Sequence, residues 1–218
     1  MLTLLPMSIL TFLFDFIIHL DEHLVTLVSN YGVLTYIILF LIIFAETGLV
    51  VTPFLPGDSL LFAAGALAAL GSFNIFLVLA ILGLAAILGD TANYWIGHFF
   101  GKAMVDSPHI PINQDHIDKT QAFYHKHGGK TIILARFVPI VRTFAPFVAG
   151  VGKMDYLQFI SYNIIGGIVW VCSFTILGFF FGNIPAVKEN FTVVVFAIIG
   201  ISVLPMAVEF IKAKRGQS

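Results

Sequence analysis

Four charged residues stand where apolar sequence should run on unbroken. Glu46 and Asp58 lie twelve positions apart in "FAETGLVVTPFLPGDSLLFAAG", and Arg136 and Arg142 lie six apart in "RFVPIVR". A pair of carboxyls can carry a proton or hold a cation. A pair of guanidiniums can grip a phosphate through two-pronged hydrogen bonds and stays charged when buried. A charge deep in a bilayer is expensive, about 3 kcal/mol even on the lower scales, so it normally pairs or serves transport. The plainer reading is an architectural salt-bridge cluster. The functional reading makes Arg142, with Arg136, the site for an anionic group. It makes Glu46 the best proton carrier, because burial favours the neutral form of a carboxyl. Asp58 has two readings. "GDS" just before an apolar run also marks a helix start, so a capping role competes with a proton role.

Composition says what must position these residues. The chain has 218 residues, 59% of them hydrophobic and 11% charged, with 23 Phe. A soluble domain has about 45–50% apolar and about 25% charged residues. So much apolar surface needs a bilayer, and the expected class is an all-α polytopic membrane protein forming one membrane domain over residues 1–218. The single cysteine, Cys172, excludes an intrachain disulfide. The first residues lack a basic region and a small-residue cleavage site, so no cleaved signal peptide is expected. No cofactor, metal or nucleic-acid partner is expected. Membrane lipids and protons are the expected partners, and a homo-oligomer is compatible.

The charge is asymmetric. Residues 1–101 hold six acids and no Lys or Arg, while all eleven Lys and Arg fall in residues 102–218. By the positive-inside rule, the loop 102–130 and the tail with Lys212, Lys214 and Arg215 are cytoplasmic, and so is the C-terminus. Three long spans fit between them, at about residues 73–100, 155–182 and 190–211. At ~1.5 Å per residue each can cross a ~30 Å hydrocarbon core.

Two further apolar stretches are interrupted. Residues 33–70 are broken at "TPFLPGD", and residues 129–152 are broken by Pro139 and Pro146. Proline removes an amide donor and clashes with the preceding turn. Both stretches are expected to be re-entrant hairpins that dip to the midplane and return, a geometry tolerated only inside protein or along a wet cavity. The halves also resemble each other. "FLPGDSLLFAAG" matches "FVPIVRTFAPFVAG", and "WIGHFFG" matches "ILGFFFG"; Pro56 to Pro139 is an offset of 83 and Gly97 to Gly178 one of 81. A hairpin followed by a span reverses sides, so the repeat is inverted, as in many secondary transporters. The first unit is 10–101 and the second 112–182, each led by a more polar, interfacial amphipathic segment, about 10–30 and 113–127. A final transmembrane helix follows at 190–211.

The repeat brings the acids of one hairpin toward the arginines of the other. Other polar residues weigh less. Asp90 in "LGDTANYWIG" lines the same pathway or bonds to Asn93, Tyr94 or a hairpin backbone, with packing slightly favoured; Asn163 is a weaker case of the same kind. His109, His116, His125 and His127 crowd the loop without a ligand spacing, and a solvated interfacial surface is the expectation.

Four ordered blocks, "ETGLVVTPFLPGDSLLFAAGALA", "GDTANYWIG", "FYHKHGGKTIILARFVPIVRTFAPFVAG" and "YNIIGGIVW", resemble the bacterial DedA family. The likeness runs from about residue 15 to 210. It implies an inner-membrane lipid transporter, moving undecaprenyl phosphate or phosphatidylethanolamine and driven in several members by the proton motive force. The family's required acids fall on Glu46 and Asp58, and its required arginines on Arg136 and Arg142. Which lipid this chain carries does not follow from the shared motif.

Two rival functions fit the residues less well. A proton-coupled antiporter of small cations or cationic drugs would use Glu46 and Asp58, but the arginines would repel its cargo. A lipid phosphatase needs a nucleophile beside a base, and neither hairpin contains a His. The chain is therefore not expected to be an enzyme.

Overall fold

The computed structural model describes residues 32–49, 57–105, 114–185 and 187. The described residues are helical and contain no strand. In chain order they form α1 (Val33–Gly48), α2 (Gly57–Ala69), α3 (Ile75–Val105) and α4 (Gln114–His127). A 3-10 turn (Gly128–Lys130) leads into α5 (Thr131–Ala135), α6 (Pro139–Val151) and α7 (Tyr156–Gly182).

α3 and α7 are the long spans. Ile75–Gly101 and Tyr156–Gly182 each give 27 continuous apolar-rich residues, about 40 Å of helix. Both present large exposed apolar side chains, among them Phe76, Leu84, Phe99, Leu157, Ile165 and Phe180. Such surfaces suit lipid rather than water. The expected spans at 73–100 and 155–182 match these helices. The expected helix at 190–211, the segment 10–30, the residues 50–56 between α1 and α2, and the basic tail lie outside the described residues.

The arms α2 and α6 have 13 residues each, about 20 Å. One expectation changes here. Pro139 does begin a helix, as proline at a first helical position should, but Pro146 lies inside α6 and does not break it. Pro146 has no amide to donate to the carbonyl four residues back, that of Arg142. Side chains of neighbouring helices tie the same turn in place: Asn93 Nδ2 donates to Thr143 O at 3.0 Å and Tyr124 Oη to Ala145 O at 2.9 Å.

The arms join their spans through matching turns. After α2, Ser72 N donates back to Leu67 O at 3.0 Å around Gly71, whose φ is +83°. After α6, Met154 N donates back to Ala149 O at 2.9 Å around Lys153, whose φ is +52°. Both are helix ends closed by a left-handed residue. Each following span opens on a side-chain cap. Asn74 Oδ1 accepts from Phe76 N and Leu77 N at 3.0 and 3.2 Å, and Asp155 Oδ1 accepts from Gln158 N at 3.0 Å.

Each arm then packs on the span that belongs to the other arm. A Cβ on Gly65 of α2 would strike the Thr175 carbonyl of α7, and one on Gly178 of α7 would strike Phe62 O of α2. A Cβ on Gly150 of α6 would strike Tyr94 O of α3, and one on Gly97 of α3 would strike Phe147 O of α6. Two crossings at backbone contact, each with a glycine on both sides, hold the arms to the spans. The buried apolar residues form three clusters. One gathers Leu39, Ile43, Leu61, Leu67, Val78 and Leu82 around Trp170; a second gathers Tyr94, Ile132, Val141 and Phe159; a third gathers Ile117, Phe144, Phe147 and Val148. α4 lies over α6, with Ile117 and Thr120 buried and Asp118 and Lys119 exposed, the two-sided pattern of an amphipathic helix.

Candidate functional site

Two charged centres, each built on one arginine, lie beside Trp170. The first is Arg142, on the first turns of α6. Its Nη2 donates to Glu46 Oε1 at 2.6 Å and its Nη1 to Asp58 Oδ1 at 2.7 Å. One guanidinium therefore bridges α1 and α2. These are short, charge-assisted bonds. Glu46 sits near the C-terminal end of α1 and its side chain is 3% exposed, whereas Asp58 sits in the first turn of α2 with its side chain 30% exposed. Space for the Glu46 carboxylate comes from Gly57: a Cβ there would overlap Oε2. Oε2 has no hydrogen bond of good geometry among the described residues.

The second centre is Arg136, in the turn between α5 and α6. Its Nη2 donates to Asp90 Oδ2 and to Asn163 Oδ1, both at 2.6 Å. Side-chain exposure is 2% for Arg136 and 4% for Asp90. Asn163 is oriented in turn by donating to Ile87 O at 2.9 Å and Thr91 Oγ1 at 3.3 Å. Gly166 of α7 makes room for this arginine: a Cβ there would come to 3.2 Å from Arg136 Cδ and Nε. Arg136 Nε and Nη1 are buried and without hydrogen-bond partners among the described residues.

Trp170 joins the centres. Its indole is fully buried, lies 5.4 Å from Arg142 Cζ and 5.7 Å from Arg136 Cζ, and donates Nε1–H to Asp58 Oδ1 at 2.8 Å. A guanidinium over an indole face is attracted by the ring's electron density. Asn93 adds a neutral tie, donating to Thr47 O at 3.1 Å as well as to Thr143 O. It holds α1, α3 and α6 together beside the charges.

The six residues singled out from sequence all come to this region, but in other pairings than expected. Glu46 and Asp58 share Arg142. Arg136 bonds to neither of them and holds Asp90 and Asn163. Asp58 lies inside the first turn of α2, and its Oδ1 accepts from Arg142 and Trp170; its charge still suits that end of the helix dipole. Sequence reasoning missed Trp170. The available signal was its position: Trp belongs at the ends of spans, and this one is fifteenth of 27 residues in α7.

The fold and the site together define a helical membrane protein with a buried charged centre. Comparison with known proteins gives its family. The family model described as the VTT domain matches residues 55–180. The chain is 56% identical over 212 residues to Protein DedA of Escherichia coli (strain K12), covering 96% of this chain and 97% of that protein. It is 40% identical over 178 residues to an uncharacterized membrane protein of Mycobacterium leprae (strain TN), covering 81% and 80%. It is 34% identical over 153 residues to the inner membrane protein YqjA of Escherichia coli (strain K12), covering 69% of each chain. No solved structure matches the chain. The chain belongs to the DedA family of VTT-domain membrane proteins. The matched domain contains Asp58, Asp90, Arg136, Arg142, Asn163 and Trp170, and begins after Glu46.

Proposed function

We propose that this protein moves a phosphate-bearing lipid across the membrane, with Arg142 as the residue that takes the head-group phosphate. One observation carries the reading: a single guanidinium holds two carboxylates from two different helices, and one of the two, Asp58, remains accessible. A phosphate presents paired oxygens to the same two nitrogens, so it competes with the carboxylates for them. Protonation of an acid loosens its hold and favours the exchange. Transport thereby couples to protons through Glu46 and Asp58. Arg136, Asp90 and Asn163 form the wall beside the pathway, and the tails of the substrate stay in the lipid.

The architecture we propose is the inverted repeat, with α1–α2 and α5–α6 as re-entrant hairpins. The matching turns at Gly71 and Lys153, and the exchanged crossings at Gly65–Gly178 and Gly97–Gly150, support it. So does arm length: about 20 Å of helix reaches only part of the way through ~30 Å of hydrocarbon. Rocking one hairpin against the other would expose Arg142 to alternate sides. On family resemblance the cargo is undecaprenyl phosphate or phosphatidylethanolamine, the energy source is the proton motive force and the location is a bacterial inner membrane. The basic loop and tail put the C-terminus in the cytoplasm. Cation antiport ranks second, because both acids already hold an arginine that would repel a cation. Enzymatic action on the lipid is not part of the proposal.

The test is reconstitution in liposomes carrying labelled undecaprenyl phosphate or labelled phosphatidylethanolamine, with and without an imposed proton gradient. Protein-dependent movement of at least one lipid is expected. It should fall by about tenfold or more in Arg142→Ala, as loss of a charged hydrogen-bond donor predicts. An Arg142→Ala protein that moves both lipids at the wild-type rate sinks the mechanism.

A further inference from the structure

We infer that Trp170 is a positioning residue that holds Asp58 in place as an anion while Arg142 changes partner, so that the coupled proton goes to Glu46. The inference rests on the lipid-phosphate reading and assigns the steps within it.

When Arg142 turns to a phosphate, it leaves both carboxylates together. Their situations then differ. Asp58 Oδ1 keeps the indole N–H of Trp170 at 2.8 Å. That nitrogen can only donate, so it favours the ionised carboxylate. The ring cannot follow Arg142, since it is fully buried in the core around Leu61, Leu82 and Val171. Asp58 also lies in the first turn of α2, where the helix dipole favours negative charge, and its side chain is 30% exposed.

Glu46 has no side-chain donor to replace Arg142, only the Gly57 backbone beside it. Its Oε1 accepts from Arg142, its Oε2 lies against Gly57, and its side chain is nearly sealed. It sits near the C-terminal end of α1, where the dipole disfavours an anion. The charged groups facing it are Arg142 from α6, Asp58 from α2 and Asp90 from α3, with Arg136 from the α5–α6 turn. Arg136 is already matched by Asp90. Once phosphate neutralises Arg142, Glu46 is a buried carboxylate beside a second carboxylate. It takes one proton from water and becomes the neutral acid. Asp58, still ionised and still in place, recaptures Arg142 when the lipid leaves.

The test uses purified full-length protein in detergent, a short-chain phosphatidylethanolamine as probe, and infrared difference spectra recorded on adding it. Isotope-labelled glutamate or aspartate identifies which acid gains a proton without altering the site. Glutamate label should shift the protonated-carboxyl band of the wild type, and aspartate label should not. In Trp170→Phe, which keeps a ring but loses the N–H, a band sensitive to aspartate label should appear as well. Transport there should slow by roughly tenfold, the loss expected for a hydrogen bond to a charged group. A wild-type band that shifts with aspartate label overturns the inference, and so does a Trp170→Phe protein that still responds to glutamate label alone. Both results leave the lipid-phosphate reading standing. Binding of the probe that Arg142→Ala does not weaken fells that reading, and this inference with it.

Discussion

The two arginine centres share a tryptophan and a charge type but differ in enclosure. Arg136 is 2% exposed and bound to one acid and one amide; Arg142 is 11% exposed and bound to two acids, one of them 30% exposed. A sealed ion pair is costly to take apart, because the partner left behind is a buried, uncompensated charge. A half-open pair can exchange its partner with something arriving from outside. The same chemistry thus yields a fixed joint in one place and a replaceable contact in the other. Enclosure decides between them, and Gly166 lets α7 approach Arg136 closely.

Substitutions can break this contrast. The largest effect is expected from Arg136→Ala, which leaves Asp90 unpaired and should cost about 3–5 kcal/mol. Thermal unfolding in detergent will measure it. Arg142→Ala should cost less by the same measurement, because Asp58 is reached by water and keeps the Trp170 N–H, while the sealed Glu46 can become the neutral acid. Removing both members of the sealed pair in Arg136→Met with Asp90→Leu should recover most of the loss, since apolar replacement of a buried pair is often neutral. A double variant as unstable as Arg136→Ala would show that Arg136 does more than answer Asp90.

Two smaller predictions sharpen the comparison by testing whether the surrounding scaffold is built alike on both sides. Gly97→Ala and Gly178→Ala each press a methyl into the opposing backbone, and each should cost about 1–3 kcal/mol. Unequal penalties would mean that the crossings are not equivalent. Lys153 occupies a left-handed position that Gly71 occupies in the other junction. Lys153→Gly should therefore stabilise the protein by about 1 kcal/mol, read as a raised melting temperature.

The parts of this molecule that were legible in sequence are those governed by local rules. α3 and α7 announce themselves as unbroken apolar runs, and the arms as runs cut by proline. The amphipathic α4 follows from "NQDHIDKTQAFYHKH". The ionisable residues Glu46, Asp58, Arg136 and Arg142 stand out because apolar sequence makes any such group conspicuous. What stayed hidden depended on approach between distant segments. Arg136 and Arg142 are both possible partners for either acid by residue type; only the packing of α5 and α6 on α3 assigns Asp90 to one and Glu46 and Asp58 to the other. Pro146 reads as a breaker because sequence does not reveal that Asn93 and Tyr124 tie this turn of α6 to its neighbours. Trp170 reads as one more apolar residue until its N–H is seen on Asp58.

The central claim is that Arg142 exchanges its carboxylates for a lipid phosphate while Arg136 stays fixed. The most direct test is the initial rate of labelled lipid movement in liposomes for three proteins side by side: wild type, Arg142→Ala, and Arg136→Met with Asp90→Leu. The account predicts that the repaired double variant keeps its rate within about threefold, an effect under ~0.7 kcal/mol. It predicts that Arg142→Ala, still folded, loses about tenfold or more. Arg142→Ala at the wild-type rate, with the folded double variant inactive, would contradict it.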